Sequence, residues 1–250
     1  MLRLLERKLT FKPNADDHGG LAGIEHERLT FGYERGLNLD GVFVRRESPS
    51  VVLFIHGNRH NITKFGNHYK FFVENDLSFM AFDFPGYGRS QGEPSEDNLY
   101  SSARAAHFHL TTKLGYKPQH IAVYGCSLGG AVAIEMLQDS NAACLVTEST
   151  FTSSAKMAKH LYPYMVFRKL LPNRFQNDQR IGKLRLPIFM VHGSEDRVVP
   201  CSMGHELLAA AQTDDKQLFV VPGADHVNCI SLGGPELRSN LNSFIRRHAG

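Results

Sequence analysis

The chain has 250 residues, is 42% hydrophobic and 21% charged, and carries a net charge of +3. That length and apolar content suffice for a sizeable core and argue against disorder. The small charge, spread without a clustered basic run, lacks the electrostatic footprint of a nucleic-acid binder.

The opening MLRLLERKLTFKPN breaks its apolar run with Arg3, Glu6, Arg7 and Lys8, so it forms no signal-peptide core. No other stretch approaches the ~20 apolar residues of a membrane span. Cys126, Cys144, Cys201 and Cys229 have no C-x-x-C spacing and are expected as free thiols in a cytoplasmic protein. The sequon Asn61-Ile62-Thr63 is expected to be silent for the same reason.

In chain order, RLTFGYER and LNLDGVFVRR predict a hairpin. VVLFIHG (Val51–Gly57) is an apolar run closed by glycine, as a buried parallel strand should be. Lys64–Asn75 predicts a helix with Phe65, Tyr69, Phe72 and Val73 near one face. LSFMAFD (Leu77–Asp83) is the next strand, followed by the glycine-rich loop FPGYGRSQGEP. A helix capped by Ser95 runs towards Gly115. HIAVYG is a strand, Leu128–Leu137 a helix and ACLVTES a further strand. PIFMVHG (Pro187–Gly193) and QLFVVPG (Gln217–Gly223) are the last strands. Helices are expected at Met203–Gln212 and from about Pro235. This alternation predicts an α/β fold with a mostly parallel sheet of about eight strands, covered by helices on both faces. No repeat or linker divides residues 1–250, so one domain is expected, with a short lid at about 151–186.

Gly125-Cys126-Ser127-Leu128-Gly129 matches G-x-S-x-G. A serine hydroxyl is a weak nucleophile that needs a base and an exposed position. Glycines on either side let strand and helix approach while a strained turn presents the hydroxyl. Such an elbow calls for an acid and then a histidine at later strand ends. VHGSEDRVVP supplies Asp196 and VPGADHVN supplies His226, in that order. His226 is expected to move the serine proton, and Asp196 to orient the imidazole. Glu195 and Glu148 rank below Asp196 as the acid. The expected oxyanion hole is the N–H of Leu128, directly after the nucleophile, with that of Asn58 in the loop after the first core strand. His56 is expected to be structural. PGYGRSQGEP lacks the Gly-Lys-Ser/Thr of a phosphate cradle, and Asp83 is expected to tie that turn. His107 and His109 are two apart on a helix and cannot share its face, so no metal is expected there. Cys126 is expected to pack rather than react.

FIHGN, DFPGYGRSQGEP, GCSLGGAVAIEM, TESTFTS, VHGSEDRVVP and GADHVN together resemble the α/β-hydrolases. The chain is most similar to the small bud-emergence-protein-type hydrolases, a group close to the protein depalmitoylases. The resemblance implies the α/β-hydrolase fold and the Ser127, Asp196, His226 triad, and says little of substrate. The chain lacks the anchoring helix or cysteine-rich lipidated start of membrane-bound relatives, and has Cys126 where they often carry a larger or charged residue. Serine rather than aspartate as nucleophile speaks against dehalogenase and epoxide hydrolase chemistry.

The expected activity is hydrolysis of carboxylic esters with small to medium acyl groups, without cofactor or metal, on a small-molecule ester. Thioester and peptide hydrolysis remain open, as does a binding scaffold without chemistry. The apolar lid residues Phe151, Met157, Leu161 and Tyr162, with Tyr164, Met165, Phe167 and Leu170, suit an acyl chain or equally core packing.

Overall fold

The protein is described by a computed structural model over residues 10–164 and 173–250. Met165, Phe167 and Leu170 of the expected lid lie outside these residues. The chain begins with β1 (Lys12–Pro13), β2 (Glu27–Gly32), β3 (Asn38–Val44), β4 (Val51–Ile55) and β5 (Arg59–His60). Next come α1 (Gly66–Glu74), β6 (Ser78–Phe82), α2 (Glu96–Thr112), β7 (Ile121–Cys126) and α3 (Leu128–Met136). After β8 (Cys144–Glu148) come α4 (Ser154–Leu161), α5 (Asn177–Ile181), β9 (Ile188–Gly193) and α6 (Cys201–Ala210). β10 (Lys216–Val221), α7 (Cys229–Leu232) and α8 (Gly234–Ala249) complete it.

Eight strands form one sheet in the order β10-β9-β8-β7-β4-β6-β3-β2. β2 and β3 pair antiparallel, β3 joins β6 antiparallel, and the remaining pairings are parallel. Every residue of β4, β6, β7 and β8 is buried, which explains their unbroken apolar runs. β2 alternates at the open edge because one of its faces meets water.

Successive residues of β4 point to opposite faces of the sheet. Val51, Leu53 and Ile55 enter one core with Val123, Leu99, Ile134 and Leu207. Val52 and Phe54 enter the other with Tyr124, Phe72, Leu241 and Phe244. Phe54 sits in an aromatic cluster with Phe65, Tyr69, Phe72 and Tyr124, at ring separations of 5.0 to 6.0 Å. Helices therefore cover both faces, as the sequence predicts.

Two local features differ from expectation. α1 starts at Gly66, because Asn61 caps a preceding 3-10 turn at Ile62–Lys64 by accepting from the Thr63 N–H. β1 and β5 form a short parallel pair, bringing Lys12 and Pro13 against the loop after β4. Among the described residues after β8, α4 and α5 lie on either side of residues 165–172, and Phe151 and Phe175 are buried. Phe175 packs edge-on against Phe11, Tyr100 and Phe151.

α3 lies tightly against the backbone of β4. A Cβ on Gly129 would stand 2.0 Å from the Ile55 carbonyl oxygen. One on Gly125 would stand 2.5 Å from both the Gly129 oxygen and the Gly130 Cα. These obstacles are backbone atoms and cannot swing aside. Gly129→Ala is therefore expected to destabilise the fold by about 3 kcal/mol, the upper part of the range for overpacking. Chemical denaturation of the variant beside wild type measures this.

Candidate active site

β7 delivers Ser127 into the turn before α3. Its φ of 53° and ψ of −113° lie where a residue with a side chain is strained. The strain is held from several sides. The Ser127 N–H donates to the Glu148 carbonyl at 2.7 Å, and its carbonyl accepts from Gly130 N–H and Thr150 Oγ1. The loop after β4 closes on the other side, with the Gly57 Cα near enough that an added Cβ would sit 3.5 Å from the Ser127 Cβ.

His226 follows β10 and Asp196 follows β9. Ser127 Oγ lies 3.1 Å from His226 Nε2, and His226 Nδ1 lies 2.7 Å from Asp196 Oδ2. The three sequence-predicted residues thus form one hydrogen-bonded chain, although they are 30 and 99 positions apart along the sequence. In the tautomer that satisfies both contacts, Nδ1–H donates to the carboxylate and Oγ–H donates to Nε2.

Asp196 is held by the backbone as well as by His226. Its Oδ1 accepts the N–H groups of Val198 and Val199 at 2.9 and 2.8 Å. His192 was not singled out from the sequence. Its Nε2 lies 3.4 Å from Asp196 Oδ2 and donates to the Val199 carbonyl at 2.9 Å. It closes the back of the loop, and its only sequence signal is its place four residues before the acid. Burial alone would push the Asp196 carboxyl up. Hydrogen bonds from His192 and His226, the charge of His226 and the Val199 N–H outweigh it and hold the group well below the usual carboxylate range. Asp196 is therefore held as an anion. Glu195 is exposed and lies outside this chain of contacts.

Asn58 stands in the loop facing Ser127. Its side chain accepts from Tyr87 Oη at 2.8 Å and donates to the Thr10 carbonyl at 2.6 Å, which fixes its backbone. Leu128 is the first residue of α3, where an N–H has no acceptor within the helix. His56 is fully buried. Its Nδ1 meets the Gly57 carbonyl at 2.7 Å and its Nε2 accepts from the Phe84 N–H at 3.1 Å. Burial pulls its imidazole down to about 4, so it is neutral and props the loop.

The lid residues take different places. Phe151 is buried in the core and Met157 packs partly against it, whereas Leu161 and Tyr162 are exposed. The end of α4 leans on the acid loop through His160 Nε2, 3.3 Å from the Arg197 carbonyl. Leu161, Tyr162, Tyr164, Val198 and Val227 stand exposed on the segments that carry or touch Asp196 and His226.

Among the described residues, donor atoms of His68, Cys126 and Glu148 lie within 4.8 Å of one another. They are already engaged. Glu148 Oε2 accepts from His68 Nε2 at 2.9 Å and from Tyr124 Oη at 2.5 Å. Burial pushes the Cys126 thiol far up, which keeps it protonated. The cluster is a self-satisfied polar network rather than a cation cage.

A family profile described as serine aminopeptidase, S33, matches residues 46–180 and 166–229. The chain belongs to this family. With it comes membership of the α/β-hydrolase superfamily and of the hydrolases. Human alpha/beta hydrolase domain-containing protein 17B is 30% identical over 219 residues, covering 84% of this chain and 72% of that protein. An uncharacterized protein of Mycobacterium tuberculosis is 35% identical over 173 residues, covering 69% of this chain and 61% of its own length. The chain therefore aligns to less than two thirds of that mycobacterial relative. The Pyrococcus furiosus esterase Pf2001 superposes with a TM-score of 0.81 at 20% identity, over 96% of this chain and 100% of that one. Mouse alpha/beta hydrolase domain-containing protein 10 does so at 0.68 and 16%, over 88% and 99%. These superpositions show the fold. No described helix is long and apolar enough to cross a membrane.

The loop beside Ser127 contains one further titratable contact. Asp83 Oδ1 accepts the Ile62 N–H at 2.8 Å and lies 3.7 Å from His56 Nε2. Burial pushes its carboxyl up to about 7, against the pull of the Ile62 and Arg89 N–H groups and of Arg28. In the unfolded chain the group titrates near ~4. Its stabilising contribution is thus fully present below that value and is lost as pH rises to about 7. His56 works in the opposite sense, losing stability as pH falls from ~6.5 towards its folded value. Wild type alone would blend the two. The melting temperature of Asp83→Asn relative to wild type is expected to rise by roughly 5 °C between about pH 4 and about pH 8. Thermal scans across that range check the slope.

Proposed function

We propose that this protein is a serine hydrolase that cleaves carboxylic esters of small to medium acyl groups through an acyl-enzyme. The observation that carries the reading is the continuous contact from Ser127 Oγ through His226 to Asp196, at 3.1 and 2.7 Å, on a turn that holds the serine at positive φ.

Ser127 Oγ bonds to the ester carbonyl carbon as its proton passes to His226 Nε2. The carbonyl electron pair moves onto oxygen, which faces the N–H groups of Asn58 and Leu128. Collapse of the tetrahedral species breaks the bond to the alkoxy group, and His226 returns the proton to that leaving oxygen. Water repeats the sequence on the acyl-enzyme. Asp196 stays ionised throughout and stabilises the imidazolium. Each oxyanion donor contributes ~3–4 kcal/mol of transition-state stabilisation.

The exposed apolar side chains at Leu161, Tyr162, Val198 and Val227 support an apolar substrate group beside the serine. Met157, in the middle of the helix that ends at Leu161, packs partly against the core and would line that side. Phe151 is assigned to the core beneath it rather than to direct contact. The family's peptidase description favours amide hydrolysis as the second reading, since the same three residues would serve.

Hydrolysis of p-nitrophenyl esters of increasing acyl length is the direct test, with thioester and aminoacyl p-nitroanilide arms. Wild type is expected to peak at short to medium acyl length. Ser127→Ala is expected to lose ~10⁴-fold or more in kcat while keeping its fold. Inactivity towards every ester, with turnover of the anilide, would replace the ester reading by the peptidase one. Failure of a serine-reactive phosphonate to label Ser127 would reject both.

A further inference from the structure

A second carboxylate lies behind the nucleophile, and the mechanism above makes no use of it. Glu148 ends β8 in register with Cys126 of β7, one residue before Ser127. Its carbonyl accepts the Ser127 N–H at 2.7 Å, so the two residues are joined directly. Thr150 Oγ1 reaches both carbonyls, at 3.3 Å for Ser127 and 3.4 Å for Glu148. Ser149, next to Glu148, has a φ of 51°, close to the 53° of Ser127. Two strained serines thus stand side by side at the ends of adjacent strands.

The Glu148 side chain is 3% exposed and accepts from His68 Nε2 and Tyr124 Oη. A buried polar pair of this kind adds little net stability over a well-packed apolar pair. Its charge is therefore more informative than its packing. His68 from α1 and Tyr124 and Cys126 from β7 touch it, and it interacts electrostatically with Cys229 from α7 and His226 from the loop after β10. Asp196 stands behind His226, and Asp225 lies beside Cys229. Cys229 Sγ lies 3.8 Å from Ser149 Oγ and 3.6 Å from the Asp225 carbonyl, which joins the end of β8 to the histidine loop.

We propose that Glu148 is a positioning residue: its buried carboxylate anchors the strand end that holds Ser127, and its negative charge supports the imidazolium of His226 during acyl transfer. The role is separate from that of Asp196, which touches the imidazole itself. Burial alone would push the Glu148 carboxyl up, but His68, the Tyr124 hydroxyl and the charge at His226 together bring it below its usual range. The group is thus an anion while His226 works. The proposal rests on the hydrolase reading above for its kinetic consequence but not for its electrostatic one.

The test combines Glu148→Gln and Glu148→Asp with two readouts. Removing the charge makes an imidazolium at His226 less favourable. The His226 titration, followed by NMR on histidine-labelled protein and assigned with His226→Gln, is expected to move to lower pH by roughly half a unit to one unit. The acidic limb of kcat/KM is expected to move with it, and kcat to fall roughly tenfold at unchanged KM. Glu148→Asp keeps the charge and is expected to restore the wild-type limb. Lower thermal stability with an unmoved His226 titration and an unmoved limb would overturn the proposal and leave Glu148 purely structural.

Should Glu148→Gln not fold, Tyr124→Phe removes one donor to the same carboxylate at almost constant volume. A severalfold loss of kcat at unchanged KM is then expected, and a wild-type kcat would overturn the proposal. The NMR titration needs no substrate, so it stands apart from the Ser127→Ala comparison. Failure of the hydrolase reading and failure of this one are read separately.

Discussion

The approach of α3 to β4 is the constraint on which the other features of the site depend. A helix can start immediately after β7 only if its first turn lies against the backbone of the neighbouring strand. Gly125, Gly129 and Gly130 remove the side chains that would meet the backbone of the same turn, Ile55 and Thr150. Once the helix is seated, Ser127 has no choice of backbone conformation. It must take a positive φ, and its hydroxyl points out of the sheet towards the later strand ends. The strain is offset by hydrogen bonds from β8 and by the buried apolar surface on both sides of the sheet.

The parallel strands then bring the remaining groups together. β9 and β10 lie beyond β8, so the loops that follow them open at the same end of the sheet as the elbow. Asp196 and His226 come from those loops. The acid is fixed by two backbone N–H groups and by His192 before it meets His226. The carboxylate is thus held in place independently of the imidazole. Asn58 is held in a similar way on the opposite side, by Tyr87 and by the carbonyl of Thr10. The short pairing of β1 with β5 gives the stretch that carries Asn58 a partner it would otherwise lack.

Two buried acids thus flank Ser127 and His226 in different ways. Asp196 contacts the imidazole, while the Glu148 carbonyl accepts the Ser127 N–H and its carboxylate sits among His68, Tyr124 and Cys126. Each is ionised because its neighbours outweigh the penalty of burial. Around them, exposed apolar side chains stand at Leu161, Tyr162, Val198 and Val227. The likeness to the Pyrococcus furiosus esterase extends over 96% of the chain, so the shared fold runs through nearly all of it.

The strands and helices were legible in the sequence because burial on both faces of a parallel sheet leaves continuous apolar runs, and helices between them keep their own period. The G-x-S-x-G turn and the order of Ser127, Asp196 and His226 were legible because strained turns and strand ends restrict residue type locally. Helix boundaries were less so: Phe65 fits the apolar pattern of α1, but a side-chain cap at Asn61 starts a different turn first. Glu148 could be read only as a rival acid, since its partners His68 and Tyr124 are 80 and 24 residues away. The same holds for His192, whose contact with Asp196 depends on how the loop after β9 folds back. Phe151 fitted an acyl pocket and a core equally well until Phe175 was seen to pack against it. Sequence alone therefore determined which chemical groups stand at the ends of the strands. Tertiary structure decided which of them meet, because hydrogen bonds between distant segments are set by sheet order and register, which local composition does not encode.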